Sequence, residues 1–209
     1  KNYDLVDYDG SETVKCYLAA QLELEMAMES LIRQLEEAGI ADDTVIVISP
    51  DHYPYALERS ATWGNAENYL TELYGVTEVD RFTRDSNALI IWSGCLEDKN
   101  LKVETPVYSL DILPTLSNLF GLNYDSRLLV GRDVFSDTES LVLWPEYSWK
   151  TDKGTYDSGS RTFTPAEGVE IDDSYVDRIK AIVSNKISYS REVQNLKYFQ
   201  VLSDFLNGK

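Results

Sequence analysis

A run of β-branched residues that stops at an acid and an imidazole is the feature that most constrains this chain. Residues 44–48 are Thr-Val-Ile-Val-Ile, and Pro50, Asp51 and His52 follow closely. A continuous run of this kind predicts a strand buried on both faces, which is typical of a parallel sheet. In open α/β sheets, ligands bind beyond the carboxyl ends of the strands. Asp51 and His52, the only histidine of the chain, are therefore expected at a ligand-binding edge.

The segment before this run predicts a helix that leads into it. Apolar residues recur at spacings of three and four over residues 11–38 and form one apolar stripe. Asp9 and Glu12 have the spacing of a capping box, and Gly39 stands where a glycine commonly ends a helix. A helix, a glycine, a short loop and a buried strand, in this order, indicate an αβ unit of a parallel sheet.

Two further elements are predicted in the same part of the chain. Residues 87–92 form a second apolar run with strand character. A helix is predicted from Asp111 to Phe120, with Pro114 in its first turn, where a missing N–H costs nothing. Asp111 is expected either to cap this helix or to support the site at the strand ends.

The predicted fold is α/β, with a smaller second part. Residues 1–136 are expected to form a parallel-sheet sandwich with helices on both faces, as the C-terminal half of a catalytic domain. Short apolar and aromatic runs broken by turn residues over 141–164 predict a small antiparallel meander. Two helices, over about 173–184 and 190–206, complete the second part, residues 137–209.

Composition limits the partners of the chain. Its 209 residues include 36 acids and 19 bases, a formal net charge of −17. This charge repels nucleic acids and anionic lipid headgroups, so both are excluded as expected partners. No apolar run of about 18 residues is present to span a membrane, and no apolar signal segment opens the chain. Because the sequence starts at Lys1, we interpret it as a piece of a longer protein whose anchor would lie upstream.

The two cysteines do not indicate a metal cluster or a redox motif. Cys16 and Cys95 are 79 positions apart in the sequence, and neither belongs to a Cys-x-x-Cys motif. We expect two unpaired structural thiols.

Asp51 and His52 permit two interpretations. A carboxylate oxygen and an imidazole nitrogen are both good ligands for Mn2+ or Zn2+, and Pro50 and Pro54 favour a turn on which neighbouring side chains could converge. The alternative is a hydrogen-bonded acid beside a partly buried histidine. Two ligands do not complete a metal site, so the others would have to come from elsewhere.

Several segments, in order, resemble one family. They are the helix-to-strand passage over residues 17–52, the strand and turn over 87–94, the sequence Leu-Asp-Ile-Leu-Pro-Thr-Leu at 110–116, and Gly-Arg-Asp at 131–133. Together they resemble the sulfatase-like phosphoglycerol transferases, the lipoteichoic acid synthase family of the alkaline phosphatase superfamily. The family commonly has Gly-Asp-His-x-Gly, whereas this chain has Pro50 and Pro54 in place of the two glycines.

The resemblance implies an enzyme and an incomplete site. Asp51 and His52 correspond to two ligands of a single catalytic metal, most often Mn2+. The family's glutamate ligand and threonine nucleophile lie in an upstream half, so no catalytic nucleophile is assigned in this chain, and the isolated chain is expected to be inactive. The implied substrate is an anionic phospho- or sulfo-ester, such as a lipid or glycan, used at the extracellular face of the cell membrane.

Two alternatives stay open beside the transferase. One is a sulfatase or phosphodiesterase hydrolase of the same superfamily, in which water is the final acceptor. The other is a catalytically inactive secreted binding domain that keeps the fold. An upstream Thr, Ser or Cys nucleophile would separate an enzyme from a binding domain, and neither cysteine of this chain stands in the Cys-x-Pro-Ser-Arg motif of a sulfatase nucleophile.

Overall fold

The computed structural model describes residues 2–58, 68–96 and 101–208. The chain divides into two compact units, Lys1–Leu101 and Lys102–Lys209. The predicted boundary after Ser136 falls inside the second unit, and the assignment of the two domains stays a prediction.

Among its described residues, the first unit contains three α-helices and a two-stranded sheet. They are α1 (Glu12–Glu37), β1 (Ile46–Ile48), α2 (Tyr69–Tyr74), α3 (Arg81–Arg84) and β2 (Ile90–Trp92). The sequence also predicts a short helix over residues 65–74, of which 65–67 lie outside the described part of the chain. It predicts a surface loop over 77–86, where the structure has the short helix α3.

The long first helix is confirmed, but its N-terminus is held differently from the prediction. The Ser11 hydroxyl accepts a hydrogen bond from the Val14 N–H at 3.2 Å. The Glu72 carboxylate, from α2, accepts the Ser11 N–H at 2.6 Å. Ser11 is therefore the N-cap of α1. The expected Asp9–Glu12 capping box is wrong, because the backbone N–H of the N-cap residue is bound by Glu72 of α2.

Strands β1 and β2 pair in an antiparallel arrangement, with Ile48 opposite Ile90 and Ile46 opposite Trp92. The parallel pairing predicted for these strands is therefore wrong, and the strand pairs among the described residues are all antiparallel. The physical reason is that all three residues of β1 are only half-buried. The apolar run therefore does not mark a strand that is buried on both faces. A β-branched run indicates a strand but does not determine the direction of its partner.

The second unit contains the predicted antiparallel meander, which is confirmed. Its four strands lie in sequence order and are β3 (Val142–Leu143), β4 (Trp149–Thr151), β5 (Gly154–Asp157) and β6 (Thr162–Pro165). Its helices are α4 (Ile112–Leu119), α5 (Tyr175–Asn195) and α6 (Tyr198–Leu206). Helix α5 is longer than predicted because it continues through residues 185–189, which have no Gly or Pro to end it.

The core of the second unit is aromatic. Trp149 is fully buried and stacks on Tyr156, with ring centroids 5.6 Å apart. Phe163 and Tyr175 pack against the same indole at 5.4 and 6.2 Å. Ile179 of α5 belongs to the same cluster, so the meander and the helix bury one common face.

The two cysteines are free, as expected, since no disulfide joins them. Both thiols are exposed. Cys95 lies 3.4 Å from the Ser93 hydroxyl, and Cys16 lies on α1.

Candidate metal centre

Asp51 and His52 lie in the turn that follows β1. The His52 Nε2 and the Asp51 Oδ2 are 3.5 Å apart, so the backbone turn brings the two side chains together. Both are accessible, with exposed side-chain fractions of 51% for His52 and 87% for Asp51. The histidine, which the second interpretation expects to be partly buried, is thus exposed.

The imidazole is oriented by its own neighbours. His52 Nδ1 lies 2.8 Å from the backbone carbonyl oxygen of Tyr53. A carbonyl oxygen only accepts hydrogen bonds, so the neutral ring carries its hydrogen on Nδ1 and keeps the lone pair on Nε2. The ring also lies 4.6 Å from that of Tyr55, centroid to centroid. Metal-ligating histidines commonly donate their second N–H in this way.

The donor pair fits a divalent metal as part of a site. Ligand atoms about 2.1 Å from one ion, in octahedral or tetrahedral geometry, are separated by about 3.0–3.5 Å. The 3.5 Å between His52 Nε2 and Asp51 Oδ2 lies at the upper end of that range. Within residues 2–58, 68–96 and 101–208, no group of three or more His, Cys, Asp or Glu side chains could hold a metal. The described residues therefore bring two candidate donor atoms together and add no third His, Cys, Asp or Glu side chain.

A group of side chains around Tyr53, the residue after His52, was not expected from the sequence. The Tyr53 hydroxyl donates to the Glu58 carboxylate at 2.5 Å, and the guanidinium of Arg84 lies over the Tyr53 ring, 4.4 Å from its centroid. Arg84 also approaches Glu58 at 3.7 Å and donates to Asp85 at 2.8 Å. The hydrogen bond to Glu58 raises the pKa of Tyr53, and the hydrogen bond to Asp85 raises the pKa of Arg84. Sequence spacing gave no signal for this group, because Arg84 is distant from Tyr53 along the chain.

Asp111, the other acid singled out from the sequence, lies in the second unit. It is 1% exposed and accepts the N–H groups of Arg132 at 2.8 Å and Tyr108 at 3.2 Å. Asp111 stands at the N-cap position of α4, as predicted, but its side chain makes no capping hydrogen bond to that helix. The carboxylate caps the 3-10 turn Ser109–Asp111 instead, through the Tyr108 N–H. Burial raises the pKa of Asp111, although both hydrogen bonds lower it. Its predicted support of the metal pair stays a prediction.

Comparison with known proteins identifies the family. The Sulfatase family model matches residues 2–122, which is more than half of the chain. The chain therefore belongs to the sulfatase family, whose members generally use a divalent metal.

The curated relatives are consistent with the lipoteichoic acid synthase branch of that family. Lipoteichoic acid synthase 2 of Bacillus subtilis (strain 168) is 24% identical over 192 residues, covering 89% of this chain and 28% of the relative. Lipoteichoic acid synthase of Staphylococcus saprophyticus is 26% identical over 130 residues, or 61% of this chain and 19% of the relative. The Staphylococcus aureus (strain USA300) enzyme of the same name is 26% identical over 140 residues, 64% of this chain and 20% of the relative. The chain thus spans less than a third of the length of these relatives.

Among the helices of residues 2–58, 68–96 and 101–208, none is both long and apolar enough to cross a bilayer.

Proposed function

We propose that this chain is the C-terminal part of a metal-dependent phosphoglycerol transferase of the sulfatase family. Asp51 and His52 are two ligands of its catalytic metal, Mn2+ or another divalent ion. The observation that supports this most is the pair itself: an oxygen and a nitrogen donor 3.5 Å apart, with the Nδ1 hydrogen bond leaving the Nε2 lone pair for a metal.

The chain's own residues supply ligands and not the nucleophile. A divalent metal at this pair would lower the pKa of a nucleophilic hydroxyl and stabilise negative charge on the transferred group. Asp51 contributes a negative charge that attracts the cation, and His52 is held in the tautomer that can coordinate it. The nucleophile, the remaining ligands and the basic groups that bind an anionic phospho- or sulfo-ester belong to the upstream part of the protein. The net charge of −17 on this part favours cations over anionic esters.

The proposed setting is the extracellular face of the cell membrane, with a lipid or glycan phosphoester as substrate and the membrane anchor outside this sequence. This assignment is supported by the name shared by the relatives, lipoteichoic acid synthase. The second candidate is a sulfatase-type hydrolase, which the description of the matching family model favours. Release of the transferred group to water, or to a glycerol or sugar hydroxyl, separates the two in the full-length enzyme.

The metal role can be tested on this chain because His52 is its only histidine. We expect Mn2+ to broaden the imidazole NMR signals of His52 selectively and weakly. Asp51→Ala should abolish the effect, since one ligand is lost. Asp43→Ala, which removes an exposed acid of the same unit, is the matched control and should leave the broadening unchanged.

Two results would contradict this proposal. If Asp51→Ala and Asp43→Ala weaken the broadening equally, the acidic surface attracts the ion without a site. A tight stoichiometric Mn2+ complex by calorimetry would show that the chain holds a complete ligand set.

Turnover provides an independent test of where the nucleophile lies. The isolated chain should not hydrolyse or transfer a phosphate or sulfate ester above the rate of a buffer blank. In the full-length enzyme, Asp51→Ala should reduce kcat/KM by orders of magnitude. Activity of the isolated chain that Asp51→Ala abolishes would place the nucleophile within these 209 residues and refute the proposal.

A further inference from the structure

The exposed ligand pair needs a support that its own side chains do not provide. His52 is held by the Tyr53 carbonyl and lies against the Tyr55 ring. Both contacts come from the loop directly after the pair. The orientation of the imidazole therefore depends on what fixes the Tyr53 backbone.

Tyr53 is fixed at its ring and at its hydroxyl by groups that converge on Arg84. The guanidinium lies over the ring at 4.4 Å, and the hydroxyl donates to Glu58 at 2.5 Å. Arg84 reaches the same Glu58 at 3.7 Å. A planar guanidinium can stack on an aromatic ring and pair with a carboxylate at once, which an ammonium group does less well.

Arg84 is in turn held by its own surroundings. It is the last residue of α3, whose N-cap Asp80 accepts the Thr83 N–H at 2.7 Å. The Tyr74 hydroxyl donates to the Arg84 carbonyl at 3.1 Å, and Asp85 accepts from the Arg84 Nε at 2.8 Å. The cation is thus tied to the first unit through its backbone as well as its side chain.

The charge balance argues against a direct substrate role for this arginine. Glu58 and Asp85 both lie within ion-pair distance of the guanidinium, so neighbouring carboxylates compensate its positive charge. Its side chain is only 29% exposed. A group of this kind positions its neighbours and offers little attraction to an anionic ester.

We propose that Arg84 is a positioning residue of the metal pair, which acts through Tyr53 to hold the His52 imidazole with Nε2 available to a metal. This inference rests on the proposed metal role of Asp51 and His52 and deepens it. In this proposal, α3 holds the loop after β1 in the conformation in which Asp51 and His52 can bind a metal.

The test reads the tautomer of the only histidine directly. In the 15N-labelled chain at pH 8, where an imidazole is neutral, long-range 1H–15N NMR spectra should show the hydrogen of His52 on Nδ1. Arg84→Ala should move both ring nitrogen shifts towards those of a free imidazole. It should also raise the Mn2+ concentration that half-broadens these signals about 10-fold, the lower end of the effect of second-shell partners on metal affinity.

Three further variants distinguish positioning from general destabilisation. Arg84→Lys keeps the charge and should restore part of the wild-type tautomer population. Tyr53→Leu removes the ring without leaving a charge unpaired, and it should reproduce the Arg84→Ala spectrum, which keeps the test valid if Arg84→Ala does not fold. Arg33→Ala, at an exposed position on α1 of the same unit, is the matched control and should change neither readout.

The outcomes separate this inference from the proposed function. If Arg84→Ala and Tyr53→Leu leave the tautomer and the broadening unchanged while Asp51→Ala abolishes the broadening, the metal role stands and the role of Arg84 is refuted. If Mn2+ does not broaden the wild-type signals, the metal role fails. In that case the His52 tautomer, compared between wild type and Arg84→Ala, still shows whether Arg84 orients the imidazole ring.

Discussion

Replacement of Asp111 by alanine is the perturbation whose effect on stability can be worked out most directly. The carboxylate is almost fully buried and accepts two backbone N–H groups, from Tyr108 and Arg132. Asp111→Ala leaves both donors without that partner. The hydrogen bond from Arg132, at 2.8 Å, is the shorter of the two and should dominate the loss.

The magnitude follows from these two bonds and from the cost of burying the charge. Each donor left unsatisfied in a buried position costs about 1–3 kcal/mol. Burial raises the pKa of Asp111, so the ionised side chain already carries a desolvation cost that the alanine variant avoids. We therefore expect Asp111→Ala to lower the free energy of unfolding by about 2–4 kcal/mol at pH 7, which is less than the upper limits for two unsatisfied donors added together. Asp111→Asn keeps one oxygen acceptor and should lose about half as much.

The pH dependence has a definite sign. Because the folded-state pKa of Asp111 is raised, its contribution to stability is fully present below the unfolded-state pKa of an aspartate and is lost as the pH rises through the raised value. The difference in unfolding free energy between wild type and Asp111→Asn should therefore fall as the pH rises from about 4. Other carboxylates cancel in this difference.

Urea unfolding followed through the amide signals of α5 measures the unit that contains Asp111. Asp137→Ala, at an exposed position of the same unit, is the control and should leave the midpoint unchanged. A loss below about 1 kcal/mol for Asp111→Ala would show that water satisfies the two N–H groups and would refute the reasoning. If the difference in unfolding free energy between wild type and Asp111→Asn is the same at every pH, the raised pKa of Asp111 is refuted.

Two further stability predictions concern the second unit. Trp149→Ala should lower the free energy of unfolding by about 3–5 kcal/mol. Trp149→Phe should lower it much less, because the buried indole N–H has no hydrogen-bond partner among the described residues. Equal losses for the two variants in urea unfolding would contradict this prediction. Gly131→Ala should destabilise the unit by about 1–3 kcal/mol, because an added Cβ would lie 2.0 Å from the Leu110 carbonyl oxygen. Gly159→Ala, where the nearest atom is a side-chain oxygen at 3.2 Å, is the matched control, and a thermal shift no larger for Gly131→Ala than for Gly159→Ala would rule out the clash.

Local patterns in the sequence predicted the local structure well. The apolar stripe gave α1 and the turn-broken aromatic runs gave the meander, because spacing along the chain determines which residues share a face. The prolines around Asp51 and His52 indicated a turn on which the two side chains could converge, and the structure places His52 Nε2 and Asp51 Oδ2 3.5 Å apart. The sequence could indicate this because the two residues are adjacent.

What the sequence did not predict depends on partners that are distant along the chain. The direction of the β1–β2 pair is set by the path between the strands, and an apolar run carries no information about that path. For the same reason the sequence did not predict the contact between Arg84 and Tyr53, the residue after His52. In the antiparallel arrangement, the segment that enters β2 lies at the end of β1 where His52 follows, and Arg84 belongs to that segment. A parallel pair would put it at the opposite end.

The β1–β2 ladder also makes residues 49–89 a closed loop whose two ends are held at Ile48 and Ile90. The described part of this loop makes contacts of its own, since Glu72 of α2 accepts the Ser11 N–H and the Arg84 guanidinium lies over the Tyr53 ring. A one-residue shift in the pairing of β1 with β2 would turn every side chain of the shifted strand to the other face of the sheet. The pairing of Ile48 with Ile90 therefore sets where the turn with Asp51 and His52 begins, and with it the reach from Tyr53 to Arg84.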